Sequence, residues 1–181
     1  MSSAPERELA RRAVRGDQAA FAEIVRIHQQ AVYNVAYRML GNAQDAEDAA
    51  QDAFIRAYRF FDRFDLEKPL APWLKRIAVN VCLNRLQVDK PASSLDDNLL
   101  PPKDPHPDPE AQTAERQRQD HIRAEIVGLP PPYRAVIELR HFQELSYEEI
   151  ATALDRPLSS VKSDLFRARK LLAERLKDLK P

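Results

Sequence analysis

The sequence predicts an all-α protein: two small helical domains joined by a proline-rich linker, the C-terminal domain a helix-turn-helix. Three observations carry that reading. Apolar residues recur at helical spacing along most of the chain, and no stretch alternates convincingly as a strand would. Six prolines, Pro91, Pro101, Pro102, Pro105, Pro107 and Pro109, fall close together among serines and aspartates. Proline removes a backbone donor and fixes φ, so no helix survives there, and the low hydrophobicity leaves little to bury. Only three glycines interrupt the 181 residues. The expected organisation is a first domain over 1–88, a flexible linker over 89–109 and a second domain over 110–181.

Each element has a local reason. A short helix is expected over 6–15, ending at Gly16. Asp17 suits the N-cap of a long helix reaching about Leu40, which Gly41-Asn42 breaks. A third helix is expected over 43–61. A loop containing Pro69 and Pro72 follows, and Pro72 fits the first turn of a fourth helix that runs to about Val88. Beyond the linker, helices are expected over 110–127, 131–141, 147–154 and 159–176. There is no internal repeat.

Composition narrows the function classes. No apolar run approaches the roughly 18 residues of a membrane span, and the N-terminus MSSAPERELARR lacks the apolar core of a signal peptide. The expected location is cytoplasmic, without membrane insertion. Cys82 is the only cysteine, which excludes an internal disulfide and argues against a thiolate metal cluster. Basic and acidic residues balance at 28 each, yet they are segregated. The stretch from Arg156 to Pro181 carries eight basic and three acidic residues, and that from Asp89 to Asp120 four basic and eight acidic. A basic tip suited to phosphate and an acidic stretch that avoids it are the natural reading.

The C-terminal helix pair is the most informative feature. Ser146, with Glu149 three residues on, has the capping-box pattern. The helix it opens ends at Asp155-Arg156-Pro157, and a second, basic helix begins at Ser159, as in a helix-turn-helix. Val161, Leu165, Ala168, Leu172 and Leu176 form the expected buried stripe. Ser159, Ser163, Phe166, Arg167 and Lys170 lie opposite, with Lys162 on the flank. Hydroxyls and cations there can meet phosphates and base edges, and the aromatic can touch a thymine methyl. A solvated basic helix beside any helical core is the plainer alternative.

Two N-terminal helices carry weaker signals. In the third, Ala46, Ala50, Ala53, Phe54, Ala57 and Phe61 should pack inward. The opposite face presents Gln44, Asp48, Gln51, Asp52, Ile55 and Arg59. An isoleucine among acids and amides suits a protein-binding face, although single exposed apolar residues are common. In the fourth, Leu74, Ile77, Ala78, Val81 and Val88 form the apolar face. Arg76, Asn80 and Gln87 lie nearly opposite, with Asn84 and Trp73 at the margin. Cation, amides and aromatic could hold single-stranded bases by stacking and hydrogen bonds. Alternatively, Trp73 closes the core and the amides are merely exposed. His28, His106, His121 and His141 have no partner at ligand spacing. No glycine-rich phosphate loop and no nucleophile motif occurs.

These same residues carry a family resemblance over nearly the whole chain. DAEDAAQDAFIRAYRFF (residues 45–61) resembles the segment by which extracytoplasmic-function sigma factors dock on the clamp helices of the largest catalytic subunit of RNA polymerase. WLKRIAVNVCLNRL (residues 73–86) resembles the segment that melts and reads the −10 promoter element. LPPPYRAVIELRHFQELSYEEIATAL with SSVKSDLFRARKLL resembles the domain that reads the −35 element. The resemblance implies two helical domains and a non-enzymatic function, with core RNA polymerase, promoter DNA and an anti-sigma factor as partners and no cofactor or metal. By position it implies core binding by Asp48, Gln51, Asp52 and Ile55 and −10 contacts by Asn80 and Asn84. It likewise implies −35 contacts by Lys162, Ser163, Phe166 and Arg167. Two departures stand out. The loop before Trp73, in relatives something like F-R-G-x-S-x-F, here reads Phe64-Asp65-Leu66-Glu67-Lys68-Pro69-Leu70. Asp164 stands where an arginine is common, and is expected either to repel phosphate or to change the −35 sequence read. Two other classes remain to be weighed: a helix-turn-helix regulator whose first domain dimerises or senses a ligand, and a small helical enzyme, for which no catalytic set exists.

Overall fold

The computed structural model describes residues 4–88 and 114–177. Among them the chain is helical, with no strand. The first half folds as α1 (Ala4–Val14), α2 (Gln18–Leu40), α3 (Ala43–Arg59) and α4 (Leu70–Val88). The second folds as α5 (Ala114–Val127), α6 (Pro131–Ile137), α7 (Tyr147–Leu154) and α8 (Leu158–Arg175). The expected linker, 89–109, lies outside the described residues.

Local chemistry sets the boundaries. The Asp17 carboxylate caps α2 by accepting from the Ala20 N–H, and Gly41, at φ 83°, closes that helix with its N–H on the Tyr37 carbonyl. Asn42 then caps α3 through the Asp45 N–H. α3 stops at Arg59, and Phe61–Arg63 form a 3-10 turn that carries Phe61 into the core. α4 begins at Leu70, two residues before Pro72, so Pro69 alone stays in the loop. Pro72 fits there because the first turn needs no intrahelical N–H bond. α6 opens on Pro131 and passes into a π turn, Glu138–Phe142.

The inward set expected for α3 is buried throughout: Ala46, Ala50, Ala53, Phe54, Ala57 and Phe61. Small residues let α3 pack closely on α2 and α4. α4 differs from its expected single-faced pattern. Leu74, Ala78 and Val81 are buried as expected, but Val79 and Cys82, off that stripe, are fully buried too. The reason is a second neighbour, since α4 also packs on α6. The two halves thus share one apolar core.

Candidate nucleic-acid interface

The helix-turn-helix is built by its caps. The Ser146 hydroxyl accepts from the Glu149 N–H at 3.1 Å, and the Glu149 carboxylate accepts from the Ser146 N–H at 2.7 Å, so both arms of the capping box are made. The Ser146 backbone bond, then its hydroxyl, hold the Glu149 carboxyl below its ordinary value. α7 ends where Asp155 turns left-handed at φ 50°, and its N–H reaches the Ala151 and Thr152 carbonyls. α8 then starts after Pro157 and packs on α6 and α7. Val161, Leu165 and Ala168 are buried and Leu172 and Leu176 half-buried, which gives the expected stripe.

That stripe fixes what α8 presents outward. Ser159, Lys162, Ser163, Phe166, Arg167 and Lys170 are all exposed, Phe166 at 70% of its surface. A phenylalanine that bare on a folded surface has no packing role within the chain. The Tyr133 hydroxyl beside the Arg167 guanidinium favours its charged form. Asp164 is corrected. It does not join this face but is buried at 8% exposure, 2.6 Å from the Arg156 guanidinium in the inter-helix turn. Its place, three residues after Val161 and four before Ala168, is within the buried stripe.

On α3, Asp48, Gln51 and Ile55 are exposed on one face, with Ile55 at 45%. Tyr58 and Phe60, at the end of the helix, are exposed to a similar degree. Asp52 is half-buried and ion-paired with Arg85 of α4, whose charged form that bond favours. Arg85 was not singled out from sequence; its signal was only that of a cation near the end of α4.

On α4 the expected −10 residues divide. Trp73 is half-buried with its ring 5.5 Å from Phe61 and 5.0 Å from Phe64, so of the two readings of Trp73 the structure supports core closure. Arg76 is half-buried and Asn84 exposed. Asn80 is half-buried, and its amide donates to the Ala153 carbonyl of α7 at 3.1 Å. In the atypical loop, the Asp65 carboxylate accepts from the Glu67 N–H at 3.0 Å, and Leu70 is buried. No metal-binding cluster of His, Cys, Asp and Glu occurs among the described residues, and no helix there is long and apolar enough to cross a membrane. His28 is buried and bonds Glu6 at 2.8 Å.

Comparison with known proteins decides the family. Residues 24–90 match Sigma-70 region 2, and residues 120–172 match Sigma-70, region 4. The ECF RNA polymerase sigma factor SigW of Bacillus subtilis is 39% identical over 91% of this chain and 93% of its own length. The chain belongs to the ECF sigma factor family. The ECF RNA polymerase sigma-E factor of Escherichia coli is 35% identical over 94% of each chain. The solved structure of CnrH in complex with the cytosolic domain of CnrY superposes with a TM-score of 0.65 at 26% identity, covering 96% of this chain and 98% of that one. Within this sigma factor, the region 2 match holds α3 and α4, and the region 4 match holds α7 and most of α8.

Proposed function

We propose that this sigma factor binds core RNA polymerase through the outer face of α3 and directs it to promoters, with α4 at the −10 element and α8 at the −35 element. The protein is not an enzyme: it supplies recognition, and polymerase supplies the chemistry. The observation that carries the reading is α8, whose buried stripe turns Ser163, Phe166 and Arg167 outward together behind a fully made capping box. Arg167 donates to guanine or phosphate, and Lys162 and Lys170 serve phosphate. Asp48, Gln51 and Ile55 form the polymerase contact, with Asp52 held by Arg85 at its edge. Asn80 and Asn84 engage −10 bases, with Arg76 toward the backbone and Trp73 bracing the helix start from the aromatic cluster.

The division into residues 1–88, 89–109 and 110–181 is the working domain scheme. The protein acts in the cytoplasm, where polymerase is, and an anti-sigma factor is its further partner. The relative CnrH, held by the cytosolic domain of CnrY, supports a polypeptide partner of that kind. Run-off transcription with core polymerase on a genomic promoter library tests the reading. Discrete promoter-dependent transcripts that require this protein are expected; co-sedimentation failure with core, and no transcripts, would leave only a helix-turn-helix regulator.

A further inference from the structure

Asp164 and Arg156 have a geometry that a mere surface ion pair would not need. The turn between α7 and α8, residues 155–157, is stiff. Asp155 is left-handed at φ 50°, and the Arg156 N–H donates to the Ala151 carbonyl at 3.0 Å. Pro157 confines the residue before it to extended backbone. The Arg156 side chain therefore leaves from a fixed point. Its tip is fixed as well, with Nη1 2.6 Å from the Asp164 carboxylate. A long, rotamer-rich side chain is thus held at both ends.

The place where it is held matters. Ser160, Asp164 and Arg167 follow at helical spacing and line one edge of α8. Ser160 is half-buried, Asp164 buried and Arg167 exposed, so this edge joins the buried stripe to the outward face. The Tyr133 hydroxyl and, more weakly, the Asp164 carboxylate favour the charged form of Arg167. One carboxylate therefore serves a guanidinium from the turn and lies near another from the outward face. The Asp164 side chain is 11% exposed and that of Arg156 32%, so the acid is covered and the cation shows. Contact through Nη1 leaves most of the guanidinium's N–H donors for a second partner. In a helix-turn-helix the first helix crosses the DNA backbone and the start of the second enters the major groove. The turn between them lies at the rim, where phosphates run, and Ser159 and Lys162 are exposed at that same end of α8.

We propose that Asp164 is a positioning residue for −35 binding: it holds the Arg156 guanidinium at the edge of α8, where Arg156 contacts a phosphate of the duplex. The inference rests on the placement of α8 at the −35 element proposed above. An acid inside the recognition helix then strengthens DNA binding. A tethered guanidinium meets phosphate without first losing the rotamer freedom of a loose one. The carboxylate repels the duplex little, because Arg156 covers its charge. Base selection stays with the outward face, since a phosphate contact sets position and carries no sequence information.

The test is fluorescence anisotropy of the full chain on a panel of −35 duplexes between about 50 and 200 mM salt, with melting curves on the same samples. Asp164→Asn keeps the shape, removes the tether and makes the chain more positive. It should nonetheless bind every duplex about threefold more weakly. Arg156→Gln combined with Asp164→Asn leaves the net charge unchanged and no charge buried alone. This double variant should bind every duplex more weakly, with base preference intact. Its slope of log affinity against log salt should fall by about 0.9, the loss of one phosphate contact. Arg156→Lys should keep the slope. Tighter binding by Asp164→Asn, or an unaltered slope in the double variant, overturns the proposal and leaves the pair as a staple of the turn. Should Asp164→Asn melt early, the double variant decides. Lys170→Ala on the same panel separates the two readings. A lowered slope there beside an unaltered one in the double variant removes Arg156 alone. Unaltered slopes in both take α8 off the DNA, and this inference with it.

Discussion

Asp164→Ala gives a sharp test of how α8 is oriented. If the carboxylate faced DNA, removing it would strengthen phosphate binding or change the sequence read, with little effect on stability. The structure dictates the reverse. The Asp164 side chain is 11% exposed and the Arg156 side chain 32%, with 2.6 Å between them. A fully buried pair loses 3–5 kcal/mol when one partner is removed; partial exposure of Arg156 screens this one, so about 1–2 kcal/mol is expected. For a chain of this size that lowers the melting temperature by roughly 2–8 °C. Asp164→Arg should cost more, about 3 kcal/mol, because it puts two guanidinium groups together inside the stripe. Denaturant melts followed by helicity, with −35 duplex binding on the same samples, provide the assay. An Asp164→Ala protein of unchanged stability that selects a different −35 sequence would refute the burial argument.

Other outcomes follow from the same geometry. The Glu149 carboxyl is lowered by the capping box, so its stabilisation is complete above the ordinary glutamate value and fades as pH falls through its depressed one. Glu149→Gln should flatten that acid dependence in melting curves, and Ser146→Ala should cost about 1 kcal/mol at neutral pH. Ile55→Ala should weaken binding to core polymerase by about 2 kcal/mol, and Asp52→Arg should weaken it too, with helicity unchanged by circular dichroism; full affinity in both would remove α3 as the contact. Asn80→Ala should impair open-complex formation more than core binding, and normal permanganate reactivity of promoter thymines would count against its role.

Much of the architecture was legible because it is encoded locally. The capping box at Ser146, the cap at Asp17 and the alanine-rich stripe of α3 each need only a few neighbouring residues to be recognised, and each appears as expected. The failures share a cause. Val79 and Cys82 are buried by a helix distant in sequence, so the periodicity of α4 alone showed one buried face where there are two. Arg38 and Glu138 are ordinary charged positions until the fold brings them together. Asp164 was read toward DNA from its position in the family pattern, where an arginine is common, although the spacing from Val161 already put it inside the stripe. An aspartate enters such a stripe when a cation, here Arg156, covers its charge.

The central claim is that α8 reads the −35 element with Arg167 while Lys170 only neutralises phosphate. Binding of Arg167→Ala and Lys170→Ala to a panel of −35 duplex variants, at two salt concentrations, tests it most directly. Arg167→Ala should lose about 1–3 kcal/mol on the preferred duplex and relax selectivity at one base pair. Lys170→Ala should weaken every duplex alike and flatten the salt dependence. An Arg167→Ala protein that behaves as the unaltered one across the whole panel would show that α8 is not the reader.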